Sequence, residues 1–573
     1  MAEGPRRRLQ LVSALLIGCV LVIVAQLFKV QIWDHRFYQE WAVEQRVRAV
    51  TVAEPPRGVI RDRNGRLLAG NKVMYSIEAA PLYVVDKESV AHELSMLLHV
   101  PAANIERKLD TDSLWVPLAS PVLKETKEQL EALNLPGITA RPVWKRDYPE
   151  GSLAAHVLGF YSAAGRGYYG LEGFYDVSLQ PERVEREGPV DTASALIPWE
   201  ATPVVLPRPG TELELTLDRT VQGLVEEELA YSVEMYQADG GTIIVMDPRT
   251  FEILALASLP NYAPGRFLDF MGEEPSVYED PAVSRQYEPG SVFKILTVAA
   301  ALDAGVVTPE TTYYDEGWIE VGGHVIKNAS YHPPGDMTVA DILIDSLNVG
   351  SAWLSTEMGS DLFYRYLRAF GIGRTTGIDL AGEVAGQLWT PDDYENWYDG
   401  YLGTNSFGQG VAVTPLQMIV AAATVANDGA RMRPHIVSRR IAPDGTATIF
   451  RPTPEKQVIS SETARVLMEM LVRTVEEGDP HAMVEGYRVA GKTGTAEIPV
   501  PGGYLSDETI TSFVGFGPVP DPQLVILIKL DRPKTSHWAS ETAAWTFHRL
   551  AKRLFTVLGI PPGDGRVVAE ATG

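Results

Sequence analysis

The chain has 573 residues and carries 74 acidic against 50 basic side chains, a formal net charge of −24. That length is too great for one ordinary domain, and the acidic balance, with no basic stripe beyond the first eight residues, argues against a nucleic-acid surface. One cysteine, Cys19, excludes an internal disulfide framework and any Cys-rich metal site, and ten scattered histidines without a His-Glu-x-x-His pattern suggest neither a metal nor another cofactor.

At the N-terminus, Arg6-Arg7-Arg8 precede the apolar run from Leu9 to Phe28, which is long enough to span a bilayer. The positive flank places the N-terminus in the cytoplasm and the rest of the chain outside. A cleaved signal peptide would need a small-residue site, which Gln26 to Gln31 (QLFKVQ) does not offer. Leu16-Ile-Gly-Cys19 resembles a lipoprotein cleavage box, but the apolar run continues for nine residues past Cys19. The anchor reading is therefore preferred.

Behind the anchor, Val59-Ile60 and Leu67-Leu68 flank Asn64-Gly65, a pair that tolerates a type I′ hairpin turn. Residues 72 to about 205 mix short strands with amphipathic helices such as Ser89–Leu98 and Lys124–Leu133, without a repeat or a catalytic cluster. A Pro-rich junction from Pro203 to Pro209 marks a boundary. Beyond it, Leu213 to Leu217 leads into a helix at Arg219–Tyr231, and Thr242–Met246 and Ile253–Ala257 form a hairpin about Asp247-Pro-Arg-Thr250. Near the end come two apolar runs, Thr511–Phe516 and Leu524–Leu530, and a helix from about Thr542 to Leu558. Strands at both ends of a domain that encloses long helical stretches imply an α+β fold, one antiparallel sheet with helices on both faces. The expected division is tip and membrane anchor at 1–30, an interaction domain at 31–205, a catalytic domain at 206–562 and a flexible tail at 563–573.

Three polar clusters mark the second domain: Ser291-x-x-Lys294, Ser346-Leu-Asn348 and Lys492-Thr-Gly-Thr495. Ser291 follows the Pro289-Gly290 turn at the start of an apolar helix, with Lys294 at i+3 on the same face. A lysine in the first helical turn is badly placed for the helix dipole. Serine acyl transfer needs an activated hydroxyl, a proton acceptor and an oxyanion hole, and a desolvated lysine replaces histidine as the base. In this reading Lys294 takes the proton of Ser291, Ser346 relays one to the leaving group, Lys492 keeps Lys294 neutral by like-charge proximity, and Asn348 meets a substrate amide. The third cluster lies on an edge strand, where Gly494 leaves room for a peptide alongside. The bland alternative is an edge strand guarded by a lysine.

Gly486 to Thr493 also satisfies the nucleotide-binding pattern G-x-x-x-x-G-K-[ST]. That loop must open a helix so that its amides cradle phosphate, whereas Tyr487 to Ala490 is strand-like and Gly494 follows Thr493. A Ser-His-Asp hydrolase would need a G-x-S-x-G elbow, which is missing. A membrane-anchored scaffold with little activity stays open as the non-enzymatic alternative.

The three clusters in this order resemble the penicillin-binding proteins. RGVIRDRNGRLLAGN (57–71), RDYPEGSLAAHVLGF (146–160), GLEGFYD (170–176), LTLDRTVQ (215–222), FGIGRTTGIDLAGE (370–383), SFGQGVAVTPLQM (406–418) and SFVGFGPVPDP (512–522) narrow the resemblance to class B, the monofunctional peptidoglycan transpeptidases, and extend it over nearly the whole chain. The resemblance implies a pedestal domain ahead of the catalytic one. It also implies a D-Ala-D-Ala stem-peptide substrate outside the cytoplasmic membrane, an acyl-enzyme resolved by a neighbouring amine, and acylation by β-lactams. A D,D-carboxypeptidase is the alternative outcome of the same chemistry. Thr493 and Thr495 would hold the substrate carboxylate, and the amides of Ser291 and Thr495 would form the oxyanion hole. The Glu-Pro-Gly lead into Ser291 resembles division-type members, which implies a polytopic glycosyltransferase as partner. Three segments depart from the family pattern and are expected near the groove: Pro260 to Phe267, His481-Ala-Met483 after Gly478-Asp-Pro480, and Trp538 to Thr542.

Overall fold

A computed structural model describes residues 4–38, 47–51, 55–182, 185–189, 208–272, 275–500 and 502–562. The junction residues 203–207 and the tail at 563–573 lie outside them. The chain divides into two compact units, one of residues 1–56 and 181–209 and one of residues 57–180 and 210–573. In the first unit, α1 (Gly4–Phe28) runs on into a wider turn at Lys29–Trp33. Within it the 23 residues Leu11–Trp33 are long and apolar enough to cross a membrane. The same unit pairs Val47–Thr51 antiparallel with Glu185–Pro189.

The second unit begins with the hairpin β1 (Ile60–Arg61) and β2 (Leu67–Ala79). The turn at Asn64-Gly65 forms, but only Gly65 takes a positive φ, +79°, so it is not type I′. The Asp62 carboxylate accepts from the amides of Asn64 (2.9 Å) and Arg66 (2.8 Å), a local cap that fixes a wider loop. Next come β3 (Val116–Val122) and β4 (Ile138–Asp147), both antiparallel to β2, with helices Lys87–Leu98, Ala102–Leu109 and Lys124–Leu133 packed through Leu94, Ile105 and Leu130. The segments around 57, 146 and 172 meet at one buried carboxylate. Glu172 accepts from Arg57 Nε at 2.7 Å, Arg146 Nε at 2.6 Å and the Tyr148 hydroxyl at 3.2 Å. Glu172 is 0 % exposed and both arginines are buried, so the charges survive only because they are paired.

β5 (Glu212–Leu215) pairs parallel with β1, a contact across about 150 residues. It leads into α2 (Arg219–Tyr236), whose start is fixed by the Asp218 carboxylate accepting from the amides of Thr220 and Val221. The hairpin β6 (Gly240–Met246) and β7 (Ile253–Leu259) follows about Asp247–Thr250 as expected. After helices α3 (Lys294–Asp303), α4 (Asn348–Met358) and α5 (Pro415–Ala426), strands β8 (Val437–Ile441) and β9 (Ala447–Ile449) return to β5. The first sheet therefore runs β9-β8-β5-β1-β2-β3, with β4 on β2. Helix α6 (Ser461–Arg473) precedes β10 (Ala490–Val500), β11 (Gly503–Gly517) and β12 (Leu524–Asp531), and α7 (Ala543–Val557) follows them.

These last strands complete the second sheet, antiparallel in the order β7-β6-β12-β11-β10, so β10 is its edge. Strand alternation sends Ile244 and Met246 to one face and Ile243 and Val245 to the other. The first face packs on α5, whose twelve residues are all buried. The second packs on Val221, Val225 and Leu229 of α2 and on Phe547, Leu550 and Leu554 of α7. This is the expected sheet with helices on both faces, and it leaves the β10 edge free for a site.

Candidate active site

The turn before α3 is stapled to the loop at 406–413. Tyr287 and Val413 exchange two backbone hydrogen bonds at 2.9 Å, Gly290 N donates to Gly408 O at 3.2 Å, and Gly410 N donates to the Glu288 carboxylate at 3.0 Å. Gly290 takes φ +58°, and Gly408 lies so close that a Cβ on it would sit 2.3 Å from the Gly290 carbonyl oxygen. A single 3₁₀ turn, Gly290–Phe293, then carries Ser291 into α3. Ser291 lines a groove of about 770 Å³ together with Ser346, Asn348, Asp479, Thr493, Thr495 and Trp538.

Lys294 is 0 % exposed among the apolar side chains of α3. Its Nζ donates to the Ser346 carbonyl at 2.5 Å and to Asn348 Oδ1 at 2.8 Å, and lies 3.2 Å from Ser346 Oγ. Both carbonyl-type oxygens are obligate acceptors. They use both N–H groups of a neutral amine and leave its lone pair for a hydroxyl proton. Burial, and secondly the positive charge of Lys492, hold the Lys294 amine well below the usual lysine range.

Ser346 reaches this position through a helix end. Helix Val339–Ile344 stops at Asp345, Ser346 follows in the left-handed region at φ +57°, and Leu347 N donates back to the Ile342 carbonyl at 3.1 Å. This is a Schellman closure with serine where glycine is usual. It turns the Ser346 carbonyl and hydroxyl to Lys294 and puts Asn348 at the first position of α4. The Asn348 amide nitrogen donates to Lys327 O at 3.1 Å, which fixes its oxygen towards the lysine.

On β10, Lys492 is 1 % exposed and donates to Thr493 Oγ1 at 3.2 Å, and burial holds its amine below the usual range. Thr493 Oγ1 donates in turn to Asp479 Oδ2 at 2.7 Å, which lies 4.0 Å from Lys492 Nζ. Thr495 Oγ1 accepts from Ala539 N at 3.1 Å. Gly494 faces the Ser291 turn: a Cβ there would lie 2.6 Å from Ser512 Oγ, 2.9 Å from Pro289 O and 3.0 Å from Val292 Cγ1. Its missing side chain lets β10 press against the Ser291 turn.

All eight candidate residues fall within these three segments. The Gly486–Thr493 match forms no phosphate loop. Gly486 sits in a turn at φ +81°, and Thr493 continues along a strand that runs to Val500. Of the three departing segments, Trp538 lines the groove and His481 supports it through a ring nitrogen 3.1 Å from Ser540 O. Pro260 to Phe267 is elsewhere. Tyr262 is buried with its hydroxyl donating to Ala155 O, and Phe267 stacks on Phe160 at 4.2 Å, so this segment packs on the 146–160 motif. Asp479 was not singled out from sequence. Its neighbour Thr493 lies fourteen residues on, and no local pattern announces the contact.

The family model of the penicillin binding protein transpeptidase domain matches residues 241–552, and that of the penicillin-binding protein dimerisation domain matches residues 52–215. The chain is 34% identical to stage V sporulation protein D of Bacillus subtilis, over 90% of this chain and 80% of that one. It is 30% identical to the probable peptidoglycan D,D-transpeptidase PenA of Neisseria meningitidis, over 95% and 93%. Among solved structures, penicillin binding protein 3 from Mycobacterium tuberculosis in complex with aztreonam superposes with a TM-score of 0.70 at 29% identity, covering 89% of this chain and 98% of that one.

Proposed function

The chain belongs to the class B penicillin-binding proteins, and on that footing we propose that Ser291 is the nucleophile of a peptidoglycan D,D-transpeptidase. Ser291 Oγ attacks the carbonyl of the penultimate D-alanine of a stem peptide while its proton passes to the neutral amine of Lys294. The tetrahedral intermediate collapses with loss of the terminal D-alanine, which takes a proton back through Lys294 and Ser346. An amine of a neighbouring stem then attacks the ester, forms the cross-link and regenerates the Ser291 hydroxyl. The amides of Ser291 and Thr495 hold the oxyanion, a role supported by the close approach of β10 to the Gly290 turn, where a Cβ on Gly290 would lie 3.1 Å from Thr495 O. Lys492, Thr493, Gly494 and Thr495 form the wall that meets the substrate's end.

The observation that carries this reading is the environment of Lys294, a buried amine whose two acceptors suit its neutral form. Labelling the full-length protein with a fluorescent penicillin, followed by peptide mapping, tests it. The label is expected on Ser291 and absent from Ser291→Ala. A label on another residue would refute it.

The same reading places Arg6 to Arg8 in the cytoplasm, one membrane crossing, and the catalytic domain outside the bacterial cytoplasmic membrane, where stem peptides lie. It is supported by the positive flank and the length of the apolar helix. It makes residues 31–205 a non-catalytic pedestal and 206–562 the catalytic domain. It also takes a polytopic glycosyltransferase of the division machinery as partner, supported by the Glu288-Pro289-Gly290 lead into the nucleophile.

A further inference from the structure

Two threonines of β10 face the groove, and their hydroxyls are committed in opposite ways. Thr493 spends its single proton on Asp479 Oδ2 at 2.7 Å, while its lone pairs face Lys492 Nζ at 3.2 Å. Thr495 Oγ1 does the reverse: it accepts from Ala539 N at 3.1 Å, so its proton remains available to a ligand. A hydroxyl has one proton to give. An incoming carboxylate would therefore find a donor at Thr495 and only lone pairs at Thr493. To recruit Thr493 it would have to take the proton from Asp479, which is 6 % exposed and would lose a donor while remaining buried.

Charge acts in the same direction. Lys492 is the buried cation beside the place a ligand's carboxylate would occupy, and Asp479, 4.0 Å away, offsets it. Asp479 itself lines the groove with Ser291, Thr493 and Thr495, so an anion bound there meets a like charge.

We propose that Asp479 is a specificity-determining residue that withholds Thr493 and part of the Lys492 charge from the ligand's carboxylate, leaving Thr495 as the hydroxyl that holds it. This rests on the reading of Ser291 as the acylated nucleophile.

The test compares acylation of the full-length protein by benzylpenicillin and by its methyl ester, which lacks the carboxylate charge. In Asp479→Asn the ratio of the free-acid rate to the ester rate is expected to rise about tenfold, since an amide neither holds the Thr493 proton as firmly nor repels the anion. A loss of fold or of general activity would not raise that ratio. Two further variants carry the question if Asp479→Asn is poorly folded: Thr495→Val should lower the ratio about tenfold, and Thr493→Val should lower it far less. A ratio that stays at the wild-type value or falls in Asp479→Asn, or equal losses in the two valine variants, would overturn the proposal. Labelling that persists in Ser291→Ala would instead defeat the underlying assignment, so the two failures are distinguishable.

Discussion

Lys294 and Asn348 are joined end to end inside the protein, the buried Nζ donating to Asn348 Oδ1 at 2.8 Å. The partner is a neutral amide, so it orients the amine without stabilising its charge. Exchanging the amide for a carboxylate tests that distinction. In Asn348→Asp an opposite charge next to Nζ favours the ammonium form and raises the lysine's pKa. Penicillin acylation near pH 7 should fall about tenfold or more, and its rising limb should move to higher pH. A pH–rate profile that superimposes on the wild type would mean that Lys294 is not the group being titrated.

The same burial has a consequence for stability. Lys294 is held below its ordinary range in the folded protein, so between the folded and unfolded values the unfolded chain binds a proton that the folded chain does not. Stability from this group therefore rises with pH up to the ordinary lysine value of about 10.4. In Lys294→Met the dependence is removed. The stability of the variant relative to wild type should be greatest near neutral pH and shrink as pH rises, as measured by thermal melting from pH 6 to 10. A difference that does not change with pH would contradict the assignment.

Gly408 packs against the turn that carries Ser291. A Cβ at this position would lie 2.3 Å from Gly290 O and 2.7 Å from Gly290 N, and the residue's φ is +83°. Gly408→Ala should displace the Ser291 turn, with a loss in acylation rate of about 10²-fold that exceeds what any change in melting temperature accounts for. Wild-type acylation kinetics in a folded Gly408→Ala variant would show that the turn is positioned independently of the 406–413 loop.

The pedestal's centre is electrostatic. Glu172→Ala would remove the buried carboxylate that Arg57 and Arg146 share, leaving Arg57 with Asp176 at 2.9 Å, and removing one partner of a buried pair costs about 3–5 kcal/mol. Denaturant unfolding should show a loss of that size. A loss below about 1 kcal/mol, the value typical of surface pairs, would mean that water reaches the site.

What was legible in the sequence is what short-range chemistry writes there. The helix opening at Arg219 and the β6–β7 hairpin about Asp247–Thr250 are each written in a few neighbouring residues, and each appears in the fold as read. The Asn64-Gly65 hairpin was legible as a turn. Its type was not, because the Asp62 carboxylate overrode the pair's own preference. The close approach at Gly494 was not legible, since the backbone it accommodates belongs to Pro289, some two hundred residues earlier. The parallel pairing of β5 with β1 and the hydrogen bond from Thr493 to Asp479 were not legible at all. Both depend on segments that only the finished fold brings together.

Activation of Ser291 by a neutral Lys294 predicts how the acylation rate of the full-length protein by penicillin varies with pH in Lys294→Arg and Lys492→Arg. Arginine stays protonated and cannot serve as a base, so Lys294→Arg should lose nearly all acylation across the range. Lys492→Arg keeps the positive charge and should retain measurable acylation with a rising limb below the ordinary lysine range. Equal losses in the two variants, or a wild-type rate without a rising limb below about pH 9, would contradict the account.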